Sequence, residues 1–476
     1  MPGVRPKAPP NSRTRPKAGR PVRTPIAKAF AKALAKAWRL SRRISARALA
    51  WGATGLVTVW LLGALLNDRW LWSQWLWWIP TAFAAIGAGV AVALSRWLAR
   101  DIAKRARALG VGAAAFATLA LAIETRPLNA FRSHEPPSGS TALEPISIGY
   151  WNLSWAEPKP AAAIIEEGLL DTDVLVVTNP RPRDGRRDLS NAISARYGGP
   201  SPEDPFARAS NVAHIAHTGF TTVASRFPIL AYGRVGLTGF RTAWTRKRLS
   251  NAEVGVTFVR LDTSALLPNP AHSSPGGKGR GEGLSSEVTS DSSSSASTPQ
   301  TTEAGRMSSP SSGPSGHLLT LGEKEPPHVT TLWIVDLPSD PFINRNDLMA
   351  QMRRDLDAWN GRVTSMDHVG RWRTIETNDA FPEPDLIVGD FNTPRGSRSL
   401  DALTDRENAH AAVGLGHDHT WPRPVPLWAI DLAFYDPRTF VPVRTEAVEA
   451  GHSFHRALRM TVRPLSPVSP NSRGPG

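Results

Sequence analysis

The sequence predicts a layered α/β domain behind three transmembrane helices. Three observations carry this. Three apolar segments lie among Lys/Arg clusters up to Glu124; short Val/Ile/Leu-rich runs alternate with helical patterns from Pro145 onward; and polar residues gather where those runs end. The chain has 476 residues and a formal net charge of +15. That charge is localised. Residues 1–50 hold 14 Lys/Arg and no Asp or Glu, the first acid is Asp68, and the remainder carries 42 basic against 41 acidic side chains. A basic nucleic-acid-binding globule is thereby excluded as the main reading, and no stable nucleic-acid partner is expected. The absence of cysteine excludes a disulfide framework, cysteine-ligated zinc, iron–sulfur clusters and thiol catalysis.

Residues 1–48 form a basic N-terminal region. Its first 25 residues, rich in Pro, Arg and Lys, are expected to be disordered. Over 26–48, Lys28, Lys32 and Lys36 recur every four residues, which puts them on one helix face, with Phe30, Leu34 and Trp38 on another. A basic amphipathic helix next to an apolar run fits a membrane surface. Residues 49–124 form the membrane region. Leu49–Leu66 is long enough to span, as is Ile79–Leu94 extended backwards through Leu71–Trp78; Ala108–Ile123 is shorter and Ala-rich. The basic stretch before the first span is too long for a signal-peptide n-region.

Flanking charge sets the expected topology. Lys/Arg crowd the N-terminus, and Arg96, Arg100, Lys104, Arg105 and Arg107 crowd the connection before the third segment, so both are expected in the cytoplasm. Trp70, Trp72, Trp75, Trp77 and Trp78 form an aromatic belt for the opposite interface. Three spans then make a multi-pass inner (plasma) membrane protein whose C-terminal domain lies outside the cytoplasm. Its basic end is expected against anionic lipid headgroups.

The soluble domain is expected over residues 145–463. Ile146–Tyr150 and Val174–Thr178 read as buried strands, and Ala161–Leu170 between them as a helix. Thr221–Ala224, Glu253–Leu261 and Thr330–Val335 are strand-like; Leu348–Trp359 is an amphipathic helix; Leu386–Val388 is a buried strand ending at Gly389. Residues 263–328 are Ser, Gly, Pro and Thr and are expected as a disordered insertion replacing a hairpin turn, which costs little because loop-closure entropy grows only logarithmically. Residues 464–476 read as a disordered tail.

Candidate chemistry sits at strand ends. Tyr150-Trp151-Asn152 ends the first strand, Asn179 follows the second, Gly389-Asp390-Phe391-Asn392 follows a buried strand, Asp431 lies in another apolar run, and Ser453-Phe454-His455 precedes the last. Asp390 with Asn392 two residues on suits a carboxylate that holds a metal or orients a water, and an amide that donates to a phosphoryl oxygen. Alone, a Gly-Asp-x-Asn run is also an ordinary turn. His417-Asp418-His419 has ligand-type spacing but lies in a loop; His214 and His217 in a strand-like stretch, and Trp421 and Trp428, read as packing residues.

The segments in order resemble the endonuclease/exonuclease/phosphatase superfamily, the metal-dependent DNase-I-like phosphoesterases. They are Ile148-Gly-Tyr-Trp-Asn152, the Asp173-Val-Leu strand, Val223-Ala-Ser-Arg-Phe-Pro-Ile229, Asp336-Leu-Pro, Arg345 opening a helix, Gly389-Asp-Phe-Asn-Thr-Pro394, Thr420-Trp-Pro422, Ile430-Asp431 and Ser453-x-His455. Hydrophobic spans ahead of such a domain resemble a group of bacterial inner-membrane members. The resemblance implies a four-layer α/β/β/α sandwich, a phosphate-ester substrate and Mg2+ or Mn2+. It implies roles as well. Asn152 stands near the phosphate, Asp390 orients or deprotonates the attacking water, Asn392 steadies the transition state, and Asp431 orients the catalytic His455.

Three positions depart from the pattern. Asn179 stands where the family has its Mg2+-binding Glu, Phe454 replaces an Asp, and Asp336 replaces a phosphate-facing His. The implied metal set is therefore Asn179, Asp390 and Asp336, poorer in charge on one side and richer on the other. Mg2+ is held by hard oxygen ligands including carboxylates. Two readings of different class stay open: a membrane-anchored phosphodiesterase or phosphatase, and a catalytically inactive binding or scaffold protein that keeps the fold at the membrane.

Overall fold

The computed structural model describes residues 25–99, 104–124, 143–154, 156, 158–168, 170–180, 186–197, 215–218, 220–239, 254–266, 328–366, 372–404, 409–410 and 419–465. Residues 1–24 of the expected N-terminal disorder, residues 466–476 of the tail expected from 464, and His214, His417 and Asp418 lie outside them; Pro25 opens a helix and Pro464 ends a strand instead. The chain divides into two compact units, Met1–Leu128 with two short loop pieces and most of the remainder from Asn129.

The first unit holds α1 (Pro25–Leu66), α2 (Leu71–Trp77), α3 (Thr81–Leu98) and α4 (Lys104–Glu124). The basic amphipathic stretch and the first span are one continuous helix of 42 residues. Its length is about 63 Å, twice the hydrocarbon thickness of a bilayer, so only its apolar C-terminal half suits the membrane interior. Two helices, α1 and α3, are long and apolar enough to cross a membrane. The sequence expectation of three needs one correction, and its short third segment stays below that length. Leu71–Trp78 does not extend the second span, because Pro80 caps α3 with extended backbone and separates it from α2. The apolar part of α4 runs only over Arg107–Ala122, because Lys104, Arg105 and Arg107 occupy its first turn. Small residues let these helices approach closely: Ala53, Ala85, Ala88 and Ala117 form one buried cluster with Val57.

The second unit runs β1 (Ile146–Asn152), α5 (Pro158–Glu166), β2 (Val174–Thr178), α6 (Arg186–Tyr197), β3 (Ile215–Thr218), β4 (Thr221–Ser225), β5 (Ile229–Gly236), β6 (Gly255–Asp262), β7 (Val329–Asp336), α7 (Arg345–Asp357), β8 (Arg362–Met366), β9 (Trp372–Glu376), β10 (Leu386–Asp390), α8 (Asp401–Thr404), β11 (Ala409–His410), β12 (Asp431–Tyr435), β13 (Phe440–Val448) and β14 (Ala457–Pro464). The strands make two sheets, ordered β13-β14-β1-β2-β4-β3 and β11-β12-β10-β7-β6-β5-β8-β9.

Alternation of apolar side chains along the central strands explains the layering. Ile146, Ile148, Tyr150, Val174 and Val176 on one sheet face Leu332, Ile334, Leu386, Val388 and Ala433 on the other, in one buried core. The opposite faces are also apolar. Trp151, Leu175 and Val177 pack beneath α5 and α6, and Trp333, Val335, Ile387 and Leu432 beneath Leu348, Met349, Met352 and Leu356 of α7. The result is the four-layer α/β/β/α sandwich that the resemblance implies.

The strands flanking the long insertion pair antiparallel, Gly255–Asp262 against Val329–Asp336. Its ends belong to that hairpin: the Thr263 N–H donates to the His328 carbonyl at 2.8 Å, and Ser264–Leu266 forms a 3-10 turn. The disordered segment expected at 263–328 is thus shorter at both ends, and residues 267–327 lie outside the described residues. The sequence reading misses the β8–β9 hairpin, whose second strand is mostly exposed, along with β13 and the polar helix α6, because none carries a continuous apolar pattern.

Candidate active site

The site is built where strands from both sheets end. In parallel β7 and β10 Asp336 lies beside Asp390, and in antiparallel β10 and β12 Asp390 lies opposite Asp431. Register thereby sets three carboxylates in a row on the face toward the first sheet, since each continues the alternation of Ile334, Val388 and Ala433. From the first sheet, Asn152 ends β1 and Asn179 follows β2. All three carboxylates are buried, as are Asn152 and His455.

Hydrogen bonds then fix each group. His455 Nδ1 lies 2.8 Å from Asp431 Oδ2. Its other nitrogen, Nε2, faces Asp390 Oδ2 at 3.9 Å, beyond hydrogen-bond reach, so neither group saturates the other. Asn152 Nδ2 donates to Asp390 Oδ2 at 2.7 Å, and the Asn392 N–H donates to Asp390 Oδ1 at 2.8 Å. Asn179 Nδ2 donates to Asn152 Oδ1 at 3.4 Å, which links the two amides of the first sheet. Asn179 and Asn392 both adopt positive φ, 53° and 46°, at the turn out of a buried strand. That conformation costs Asn less than most side chains. The side chain of Asn392 donates one N–H to the Leu337 carbonyl at 2.7 Å, and the second hydrogen of its amide remains for another acceptor.

Three residues outside the expected set support the site. Tyr150, two residues before Asn152 on the same face of β1, accepts from the Asp390 N–H at 3.0 Å. Ser453 donates to the Asn152 carbonyl at 2.6 Å and accepts from the His455 N–H at 3.0 Å. Thr420 accepts from the Asp431 N–H at 3.2 Å, and its carbonyl accepts from the Arg456 N–H. The period of two along β1 points at Tyr150; the Ser and Thr contacts carry no sequence signal of their own. Phe454 is 66% exposed, so its ring does not fill the site. His217 lies 3.1 Å from the Thr222 hydroxyl in the β3–β4 hairpin, and Trp421 stacks with Trp428 at 5.3 Å.

Burial dominates the electrostatics. It raises the Asp390 carboxyl to about 8, helped by Asp431 and opposed by His455, and raises Asp336 to about 7, opposed by the Asn179 hydrogen bond and by Arg234. For His455 burial works the other way, but Asp431, through charge and hydrogen bond, and then Asp390 and Asp336 carry it up to about 9. Burial and the three carboxylates push the Tyr150 phenol well above its ordinary value, so it stays neutral.

The donor set fits a hard divalent cation. Carboxylates and amide oxygens are the ligand chemistry of Mg2+ and Mn2+, and a bound cation would offset the burial that penalises ionised Asp336 and Asp390. Asp431 Oδ1 is buried with no hydrogen-bond partner among the described residues. Asp390, Asp431 and His455 each bring a ligand-type atom within 4.8 Å of the others.

Comparison with known proteins identifies the family. A family described as the Endonuclease/Exonuclease/phosphatase family matches residues 149–454. No curated protein matches the sequence. Among solved structures, the inositol polyphosphate 5-phosphatase domain of SpSynaptojanin, crystallised with inositol (1,4)-bisphosphate and calcium, is 10% identical over 67% of this chain and 84% of that one, with a TM-score of 0.36. The human Nocturnin catalytic domain with bound sulfate is 12% identical over 70% and 100%, with a TM-score of 0.35. An endonuclease/exonuclease/phosphatase from Beutenbergia cavernae is 14% identical over 67% and 72%, with a TM-score of 0.33. With the family match spanning well over half of the chain and ending beside His455, the protein belongs to the endonuclease/exonuclease/phosphatase family.

Proposed function

We propose that the domain hydrolyses phosphate esters with the help of a divalent cation. The observation that carries the reading is the buried Asp390–His455–Asp431 arrangement, in which Asn152 aims Asp390 and Asp431 aims His455. Asp336 and Asp390, with the amide oxygen of Asn179, would hold Mg2+ or Mn2+. When bound, the cation supplies neutralisation and polarisation of the phosphoryl oxygens.

The chain's own groups do the rest. Asp390, with a raised proton affinity, accepts a proton from the attacking water. Asp431 holds Nδ1 of His455, so Nε2 presents its proton toward the reacting group, as a buried carboxylate does for imidazole in other hydrolases. The free N–H of Asn392 donates to charge developing on phosphorus. The test is hydrolysis of bis(p-nitrophenyl) phosphate and p-nitrophenyl phosphate by the full chain in detergent with Mg2+ or Mn2+. Asp390→Ala is expected to lower kcat by roughly 10²–10⁴ while the protein stays folded. Unchanged turnover in that variant refutes the assignment, and absence of turnover in the wild type favours the binding or scaffold reading.

The same proposal places the protein in the inner membrane as a multi-pass chain, with α4 as a third span and the domain outside the cytoplasm. Support comes from the charge asymmetry around α1 and α3 and from the two helices able to span. The basic first half of α1 is proposed to contact anionic lipid. Reporter fusions after Pro127 and at the C-terminus are expected to be active only for a reporter that works outside the cytoplasm. Cytoplasmic activity at both points rejects the third span.

A further inference from the structure

Among the described residues, one arginine on the sheet face that carries the carboxylate row is not used by the chemistry above. Arg234 lies on β5, paired with Thr257 of β6. Its Nε and Nη1 are shut off from solvent and meet no hydrogen-bond partner among the described residues. An arginine left this way is costly, because each shielded N–H loses its water without a replacement.

The register shows where it stands. Gly236 of β5 pairs with Gly255 of β6, and Gly255 pairs with Asp336 of β7. Arg234 is two residues before Gly236 and so shares its face. Between Arg234 and the end of the carboxylate row the sheet therefore presents two positions with no side chain. Gly255 cannot acquire one: it has φ +150°, and an added Cβ would run into the Val235 carbonyl. Asp336 is the charge that favours the ionised form of Arg234 against its burial. Three strand spacings of about 4.8 Å separate β5 from β10, too far for the guanidinium to share the phosphoryl group held at Asp390.

We propose that Arg234 binds a second anionic group of the substrate, seated over Gly236 and Gly255, so that the site selects phosphate esters carrying another phosphate a short linker away. This rests on the phosphoester reading of the Asp390 site and adds the substrate's charge pattern to it. The binding geometry is a guanidinium fork on phosphate oxygens, for which Arg is the suited side chain.

The experiment is calorimetric titration of the full chain in detergent with two probes, butyl phosphate and 1,4-butanediol bisphosphate, beside the hydrolysis assay. The wild type is expected to bind the bisphosphate about tenfold or more tightly, the scale of a charge-assisted hydrogen bond to a desolvated group. Arg234→Gln is expected to erase that preference with butyl phosphate affinity unchanged, and Arg234→Lys to keep part of it. Equal binding of the two probes by the wild type overturns the proposal, as does a preference that survives in Arg234→Gln. A lowered melting temperature with the preference intact marks Arg234 as structural and overturns it too. The two readings fail separately. Asp390-dependent hydrolysis without a bisphosphate preference removes only Arg234, and an Arg234-dependent preference without any hydrolysis removes only the catalytic role.

Discussion

At the corner formed by β10, β12 and the start of β14, the groups proposed to handle protons are held by the chain itself. Asp431 is fixed by Thr420, His455 by Asp431 and Ser453, and Asp390 by Asn152, Asn392 and Tyr150. The corner between β2 and β7 is different. There an amide, Asn179, stands on the first sheet and a carboxylate, Asp336, on the second, with a hydrogen bond from Asn179 and Arg234 nearby as its counter-charges. The first corner is tied by hydrogen bonds from several elements, whereas the second has fewer and holds two of the three ligands proposed for the cation. An amide stands at 179 and a carboxylate at 336, facing each other across the same space.

The strongest way to break this comparison is to alter the second corner alone. Asp336→Asn is expected to weaken Mg2+ binding by about 10–100-fold, and Asn179→Glu to strengthen it over a similar range, while neither moves the His455–Asp431 pair. Calorimetry with Mg2+ and Mn2+ reads both. Unchanged affinity in Asp336→Asn would place the ion elsewhere.

A smaller effect sharpens the same distinction through pH. Asp336, Asp390 and His455 all have proton affinities raised by the fold, to about 7, 8 and 9. A raised group contributes stability that is full below its unfolded value and lost as pH rises through its folded value. In the metal-free protein the site's contribution therefore declines from about pH 4 for the carboxylates and about pH 6.5 for His455, and is gone above about pH 9. Melting in EDTA is expected at higher temperature at pH 5.5 than at pH 9. Added Mg2+ is expected to stabilise more at pH 8.5 than at pH 6, because it competes with protons for Asp336 and Asp390. The reverse order would mean that these carboxylates are ionised in the folded protein without a cation.

The smallest effect is expected far from both corners. Replacing residues 267–327 with a short Gly/Ser turn is expected to leave the melting temperature within a few degrees, since β6 and β7 pair over their whole length and Thr263 closes on His328. A large drop would show that the segment packs.

The Asp390–Asp431–His455 corner was legible because its residues sit at the ends of apolar runs: Asp390 closes Leu386–Asp390, Asp431 opens Asp431–Tyr435, and the Ser453-x-His455 spacing precedes the last strand. Arg234, Ser453 as a support for Asn152, and Thr420 were not, since a single Arg, Ser or Thr in a strand or loop has no periodicity that separates it from packing or solvation. The two helices that can span were legible as apolar runs, but the break at Pro80 and the cationic start of α4 reshaped the segments around them.

By itself the sequence determined the basic N-terminus, the apolar helices, the alternating strands of the central layers and the order of the site motifs. Each depends on neighbours along the chain, through periodicity, charge or turn chemistry. Only the tertiary structure decided that Asp336, Asp390 and Asp431 stand side by side, that Asn179 faces Asp336 across the gap between the sheets, and that Arg234 shares their sheet face with Gly236 and Gly255 between. Strand order and register set these relations, and both follow from which faces bury together across separations of tens to hundreds of residues rather than from any local pattern.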